Sequence, residues 1–304
     1  MVLGIDIGYS FTKDSKKHIF PSKYTTTEPI ITKGLTEKSL FNSVDNKISY
    51  NNINYWVGTG EINVELDKCN SLINKLCVLN CLYLNNAQKV KIVSGLPINQ
   101  FKNKKEELRT AIKSLHNNVY FVNNVKYTAC IEDVYVFPQC VSTLYSMNVN
   151  INRNTIIIDV GSRTVDIAYI VTEHNNPKIV QYSTYYDGMY SLYSRIIKEV
   201  NSKFGLTLKS NNAESIITNG LIIKGHTQDL SFLQNTMREH FSDIFNELLL
   251  NYPTDISDIY LCGGGSELII NAFKKRFSHC QLINNAQFSN ALGYEIIGRT
   301  YWKE

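Results

Sequence analysis

Two stretches decide the architecture: Gly4-Ile5-Asp6-Ile7-Gly8-Tyr9-Ser10-Phe11-Thr12-Lys13 at the start of the chain, and Ile156-Ile157-Ile158-Asp159-Val160-Gly161-Ser162-Arg163-Thr164-Val165-Asp166 near its middle. Each is an apolar strand that runs into Asp-x-Gly, turns through short polar residues and returns to apolar residues. One such turn marks an ordinary hairpin, because glycine and short polar side chains accept its backbone angles. Two of them, each heading a half of the chain, predict one α/β fold built twice.

Working outward from the first turn, residues 2–7, 10–14 and 17–20 read as short strands. Residues 22–65 are polar and rich in Asn and Thr, which reads as an inserted subdomain. Helical spacing of Leu72, Leu76, Leu79 and Tyr83 predicts a helix over 68–86. A strand over 89–95 is expected to end at Gly95, with Pro97 stopping any helix there and a helix following at 106–115. Strands are expected at 119–122, 125–130 and 132–137, then a helix from Gln139 to Met147. After a linker at 148–154, the second half is expected to carry strands at 155–159, 165–172 and 178–183. Helices at 188–204, 212–223 and 230–250 follow, then strand 259–262, Gly263-Gly264-Gly265, and helices at 266–275 and 287–300. The expected domains are 1–152, with an insert over about 22–95 and completed by a C-terminal helix over about 287–304, and 153–286, with a reduced upper part over about 188–258.

Composition narrows the class. The chain has 304 residues, 43% hydrophobic and 19% charged, which describes a folded globular protein rather than a disordered one. Its net charge of +4 comes from 31 cationic and 27 anionic side chains without a concentrated basic face, so direct nucleic-acid contact is not expected. Lys102 to Lys105 run straight into Glu106-Glu107 and read as a solvated helix surface. Seven cysteines without a Cys-x-x-Cys pair read as core thiols in a reducing cytoplasm. Asp6 interrupts the first apolar run, and no stretch reaches the roughly 20 apolar residues of a membrane span; the expectation is a cytoplasmic protein with no membrane partner.

The turns carry the chemistry. A nucleoside triphosphate needs donors around it, and glycine-containing turns present backbone N–H groups that can come close. Lys13 adds a positive charge. Asp6, Asp159 and Asp166 cannot bind phosphate themselves; they make sense beside a Mg²⁺ that keeps its waters. Each taken singly also reads as a turn residue bonded to its own backbone. Gly263-Gly264-Gly265, between an apolar strand and a helix, would let a base or ribose lie against the backbone. Neither a P-loop nor a Gly-x-Gly-x-x-Gly fingerprint occurs.

Asp6-x-Gly8-x4-Lys13, Asp159-x-Gly161-x2-Thr164-x-Asp166 and Gly263-Gly264-Gly265, in that order, resemble the first phosphate, second phosphate and adenosine motifs of the superfamily of actin, heat-shock chaperone ATPases and sugar kinases. Within it the chain resembles the bacterial actin-like proteins of plasmid segregation, the ParM group. That closer likeness rests on Tyr55-Trp56-Val57-Gly58-Thr59-Gly60, Ser94-Gly95-Leu96-Pro97-Ile98-Asn99-Gln100-Phe101, Val136-Phe137-Pro138-Gln139 and the tail Asn285-Ala286-Gln287-Phe288-Ser289-Asn290-Ala291-Leu292-Gly293. The resemblance implies duplicated actin-like (ribonuclease H-like) domains with a nucleotide cleft between them.

It also implies roles. Gln139 would orient the attacking water, Asp159 would be the metal-linked aspartate and Asp6 its partner, both reaching Mg²⁺ through water. Lys13 would contact phosphate beside Gly8, Tyr9 and Ser10, and Gly161, Ser162, Thr164 and Asp166 would form the second phosphate turn. Gly188 would lie near the nucleotide, Glu214 near the adenosine, and Gly263, Gly264 and Gly265 against the base or ribose. Arg163 stands where the family has a small residue; it either reaches a phosphate or points away. Glutamine is a poor base, so hydrolysis is expected to be slow.

The function implied is an ATP-driven filament, with GTP as an alternative nucleotide, that assembles with itself and moves plasmid DNA through an adaptor of ParR type. Two rivals stand beside it: a non-polymerising scaffold ATPase of the same fold, and a small-molecule kinase, for which no separate Asp base is visible.

Overall fold

The computed structural model describes residues 1–29, 46–62, 69–147, 153–173 and 176–304. Residues 30–45 and 63–68 of the expected insert, and 148–152 of the expected linker, lie outside the described residues. The chain divides into two compact units, Met1–Ser146 with Asn290–Glu304, and Met147–Ser289.

In the first unit β1 (Val2–Ile7), β2 (Phe11–Asp14) and β3 (Ile19–Pro21) form an antiparallel meander. β4 (Lys23–Thr25), β5 (Asn46–Tyr50) and β6 (Ile53–Ile62) follow, then α1 (Leu72–Leu84), β7 (Val90–Leu96), α2 (Ile98–Lys113), β8 (Val119–Val122), β9 (Val125–Thr128), β10 (Ile131–Pro138) and α3 (Thr143–Ser146). β7 and β10 add in parallel beside β1, giving the order β10-β7-β1-β2-β3. β1 is buried along its whole length, as a central strand covered on both faces must be. α1 is apolar nearly all round, with Ile73, Leu76, Cys77, Val78, Leu79, Cys81 and Leu82 all buried. Such a helix belongs between layers rather than on a surface.

A second sheet in this unit has the order β4-β6-β5-β8-β9. Its strands come from two segments, since β8 and β9 lie beyond the stretch read as the insert yet pair onto β5.

The second unit repeats the first sheet. β11 (Thr155–Val160), β12 (Val165–Glu173) and β13 (Asn176–Tyr185) form the meander, and β16 (Asp258–Cys262) and β17 (Gln281–Leu282) add in parallel. The order β13-β12-β11-β16-β17 is that of the first sheet, strand for strand. Between them lie α4 (Met189–Phe204), α5 (Ala213–Asn219), the hairpin β14 (Ile222–Ile223) and β15 (His226–Thr227), α6 (Leu233–His240) and α7 (Ser242–Asn251); α8 (Ser266–Arg276) precedes β17. α9 (Ser289–Trp302) returns to the first unit. The α/β sheet of the first unit is thus built a second time.

Several elements depart from the sequence reading for local reasons. Pro97 immediately precedes α2, which begins at Ile98; proline breaks a helix in its interior but suits its first turn, where no N–H is needed. The helix expected over 230–250 divides at Phe241, which is fully buried against Phe245 and Phe273. α5 stops at Asn219 because Gly220 takes φ 80°. The helix expected from Gln139 begins only at Thr143, since Cys140 has φ 67°. Six of the seven cysteines are buried, and Cys130 is partly exposed. Among the described residues no helix is long and apolar enough to cross a membrane.

Candidate functional site

Most of the candidate residues fall into two clusters, one in each unit, each built on the first hairpin of its sheet. In the first unit, Asp6 faces Lys13 and Ile7 faces Thr12 across β1 and β2. The Gly8 N–H donates to the Phe11 carbonyl at 3.0 Å and closes the turn, whose tip carries Tyr9 and Ser10, both half-buried. Asp6 is only 5% exposed. Its Oδ2 lies 3.6 Å from Lys13 Nζ, and its Oδ1 accepts from Gln139 Nε2 at 2.9 Å. A buried carboxylate needs such partners, because leaving it bare would cost several kcal/mol, roughly. Asp6, Lys13 and Gln139 therefore form one cluster.

The second cluster has the same frame. Asp159 faces Asp166 in the ladder, and the Gly161 N–H donates to the Thr164 carbonyl at 2.9 Å. The ladder positions of Asp6 and Lys13 are thus those of Asp159 and Asp166. Where the first turn pairs an acid with a base, the second places two acids opposite each other, an unfavourable pairing unless positive charge or donors offset it. Asp166 takes hydrogen bonds from Thr184 Oγ1 at 2.6 Å and Thr164 Oγ1 at 3.2 Å. Asp159 is 8% exposed.

The tip of this turn, Ser162 and Arg163, is half-buried and docks on the start of α4. The N–H groups of Gly188, Met189 and Tyr190 donate to the carbonyls of Arg163, Gly161 and Ser162 at 3.1, 3.1 and 2.8 Å. Helix starts carry unsatisfied N–H groups; here they hold the phosphate-turn candidate. Gly188 permits it: a Cβ there would come within 2.7 Å of the Gly161 carbonyl oxygen and 2.8 Å of the Thr164 nitrogen.

The triple glycine has separate reasons at each position. Gly263 has φ 88°, and a Cβ on it would lie 2.3 Å from Asp159 Oδ1. Gly265 packs on α4, where an added Cβ would meet Met189 Cγ at 2.3 Å. Packing therefore accounts for both. At Gly264 the nearest atom to an added Cβ is Gln287 Nε2 at 3.8 Å, so this is the glycine whose open side no packing explains. Glu214 stands apart, exposed in the first turn of α5. Burial, and then the Glu214 carboxylate beside its hydroxyl, push the Tyr193 phenol of α4 up from its ordinary value.

Two further residues bear on these clusters without having been singled out from the sequence. Asn290, at the start of α9, accepts from the turn that follows Gln139. It lies inside the tail that carried the family resemblance, but nothing in that pattern states its contact. His240, 4% exposed, ends α6 with Nδ1 3.4 Å from Asp187 Oδ2; Asp187 also meets Arg195 at 3.3 Å and directly precedes Gly188. Burial pushes the His240 imidazole down from its ordinary value, against the pull of Asp187.

Residues 4–141 match the family described as actin-like proteins, N-terminal domain, and residues 157–275 match archaeal actin homologue MreB-like, C-terminal. Among solved structures, a 15-stranded ParM filament from Clostridium botulinum is 24% identical, covering 98% of this chain and 99% of that one, with a TM-score of 0.77. The archaeal actin homologue Ta0583 in complex with ADP is 21% identical over 98% and 99% of the two chains, with a TM-score of 0.78. MreB5 of Spiroplasma citri bound to ADP is 16% identical over 99% and 97%, with a TM-score of 0.67. At these identities the likeness is one of fold. No curated protein sequence matches the chain.

Proposed function

Because the chain belongs to the actin-like proteins in both of its halves, we propose that it is a filament-forming protein driven by ATP hydrolysis, with GTP as the alternative nucleotide. Its work would be to segregate plasmid DNA through a DNA-binding adaptor of ParR type. The observation that carries the reading is the cluster of Gln139, Asp6 and Lys13 at the first turn, opposite in sequence to a second turn of the same frame. Structures of a ParM filament and of ADP-bound actin homologues among its structural neighbours support it.

ATP is the substrate, and its phosphates would meet the tips of the two turns, with Lys13 supplying positive charge from β2. Gln139 donates through Nε2 to Asp6, which leaves its Oε1 to accept from a water and aim it. Attack of that water on the γ-phosphorus breaks the bond to the bridging oxygen and yields ADP and phosphate. Gln139 orients the water but does not take its proton, so turnover is slow.

A hydrated divalent cation fits the donor set. Asp6 and Asp159 are buried carboxylates, Asp159 faces a second acid, and among the described residues no three His, Cys, Asp or Glu side chains gather as direct ligands. Mg²⁺, which keeps several waters, neutralises phosphate charge when bound with the nucleotide; Asp6 and Asp159 would hold it through those waters.

Assembly and nucleotide couple by linkage: if subunit contacts favour the ATP-bound conformation, ATP favours assembly and hydrolysis weakens it. Sedimentation of the purified protein with Mg²⁺-ATP, with Mg²⁺-ADP and without nucleotide tests the reading. Pelleting above a critical concentration with ATP alone supports it; equal pelleting in all three contradicts it.

A further inference from the structure

Gln139 does not sit on a helix. It lies in the turn between β10 and α3, and the next residue, Cys140, is fully buried with φ 67°. Glycine adopts that left-handed conformation freely, whereas a residue with a Cβ does so only when its surroundings hold it. Those surroundings converge on one atom. Asn290 Oδ1 accepts from the Cys140 N–H at 3.0 Å, from Ser142 Oγ at 2.7 Å and from Thr143 Oγ1 at 3.2 Å. A backbone N–H can only donate, so the amide is fixed with its oxygen toward the turn. Asn290 is 6% exposed at the start of α9. One turn further along, Gly293 lets that helix settle onto the same segment; a Cβ on Gly293 would come within 1.9 Å of the Ser142 carbonyl oxygen.

We propose that Asn290 is a positioning residue for hydrolysis: it holds the 139–143 turn in its strained form, so that the Gln139 amide stays on Asp6 with its oxygen toward the water. The proposal rests on the water-orienting reading of Gln139. An acceptor at this position matters, not the amide as such, so an Asp there keeps the function. If strain at Cys140 is what Asn290 opposes, glycine at position 140 removes the need for it.

The test uses the full chain. ATP turnover, giving kcat and KM separately, and amide hydrogen exchange over residues 139–143 are measured for wild type, Asn290→Ala, Asn290→Asp, the double variant Asn290→Ala/Cys140→Gly, and Gln139→Ala. Asn290→Ala is expected to lower kcat about 10-fold with KM within about twofold, the signature of a misplaced group rather than lost binding, and to speed exchange at Cys140. Asn290→Asp should retain wild-type exchange and kcat within about threefold, and the double variant should regain most of the lost kcat. Unchanged exchange in Asn290→Ala overturns the proposal. So does a loss of kcat that neither Asn290→Asp nor the double variant recovers. Wild-type turnover in Gln139→Ala would instead remove the water-orienting reading, while the exchange rates still decide whether Asn290 holds the turn.

Discussion

Gln139 Nε2 donates to Asp6 Oδ1 at 2.9 Å, and the other oxygen of the same carboxylate faces Lys13 Nζ at 3.6 Å. One buried acid therefore orients both a neutral amide and a cation, from residues 133 and 7 positions away in the chain. The second unit repeats the hairpin and its closing hydrogen bond but replaces the cation with Asp166. The two copies share a frame and differ in charge.

Gln139→Ala should slow phosphate release by up to about 100-fold, the order of rate lost when a reacting group is misplaced, while assembly with ATP persists. Light scattering followed by phosphate assay checks it. Filaments that disassemble as fast as wild type would remove the residue from the hydrolytic step.

Lys13→Ala should weaken ATP binding by about 10-fold or more, as loss of a charge-assisted phosphate contact does. Titration calorimetry reads the dissociation constant. An unchanged value would leave the Asp6–Lys13 ion pair a purely structural feature.

Gly188→Ala should force α4 away from the 161–164 turn, because its Cβ would lie 2.7 Å from the Gly161 carbonyl oxygen. A loss of about 1–3 kcal/mol on urea unfolding is expected for such overpacking, together with weaker nucleotide binding. Wild-type stability and affinity would show that the helix start and the turn are not mechanically joined.

His240 gives a pH dependence of defined sign. Burial keeps its folded-state pKa below the ordinary value, with Asp187 pulling upward and Arg195 downward. The unfolded chain thus binds more protons between the depressed value and about 6.5, and stability rises with pH across that window. Acidifying from about pH 7.5 to about pH 5.5 should lower the thermal midpoint, and His240→Phe should flatten that slope. The same slope in the variant would assign the effect to other groups.

Much of this was legible in the sequence, for physical reasons. Asp-x-Gly after an apolar run dictates a local hairpin, so both meanders and the placement of Asp6, Lys13, Asp159 and Asp166 follow from neighbouring residues. Contacts between distant segments were not legible. Nothing local to Cys140 announces a left-handed backbone, because the force that sustains it comes from Asn290, 150 residues on. The break at Phe241 reflects core packing against Phe245 and Phe273 rather than any helix-breaking residue. Pro97 was read as a stop although it heads α2, since proline has opposite meanings at a helix start and in its interior. The packing of Gly263 against Asp159 and of Gly265 against Met189 was likewise not legible in the local sequence.

If nucleotide state drives assembly, right-angle light scattering of the purified protein after addition of Mg²⁺-ATP, with phosphate release followed in the same sample, will report both events together. A concentration-dependent rise is expected, with filaments in negative-stain images at the plateau and decay as ATP is spent. Phosphate release with no scattering at any concentration would contradict it and identify a non-polymerising ATPase on the same fold.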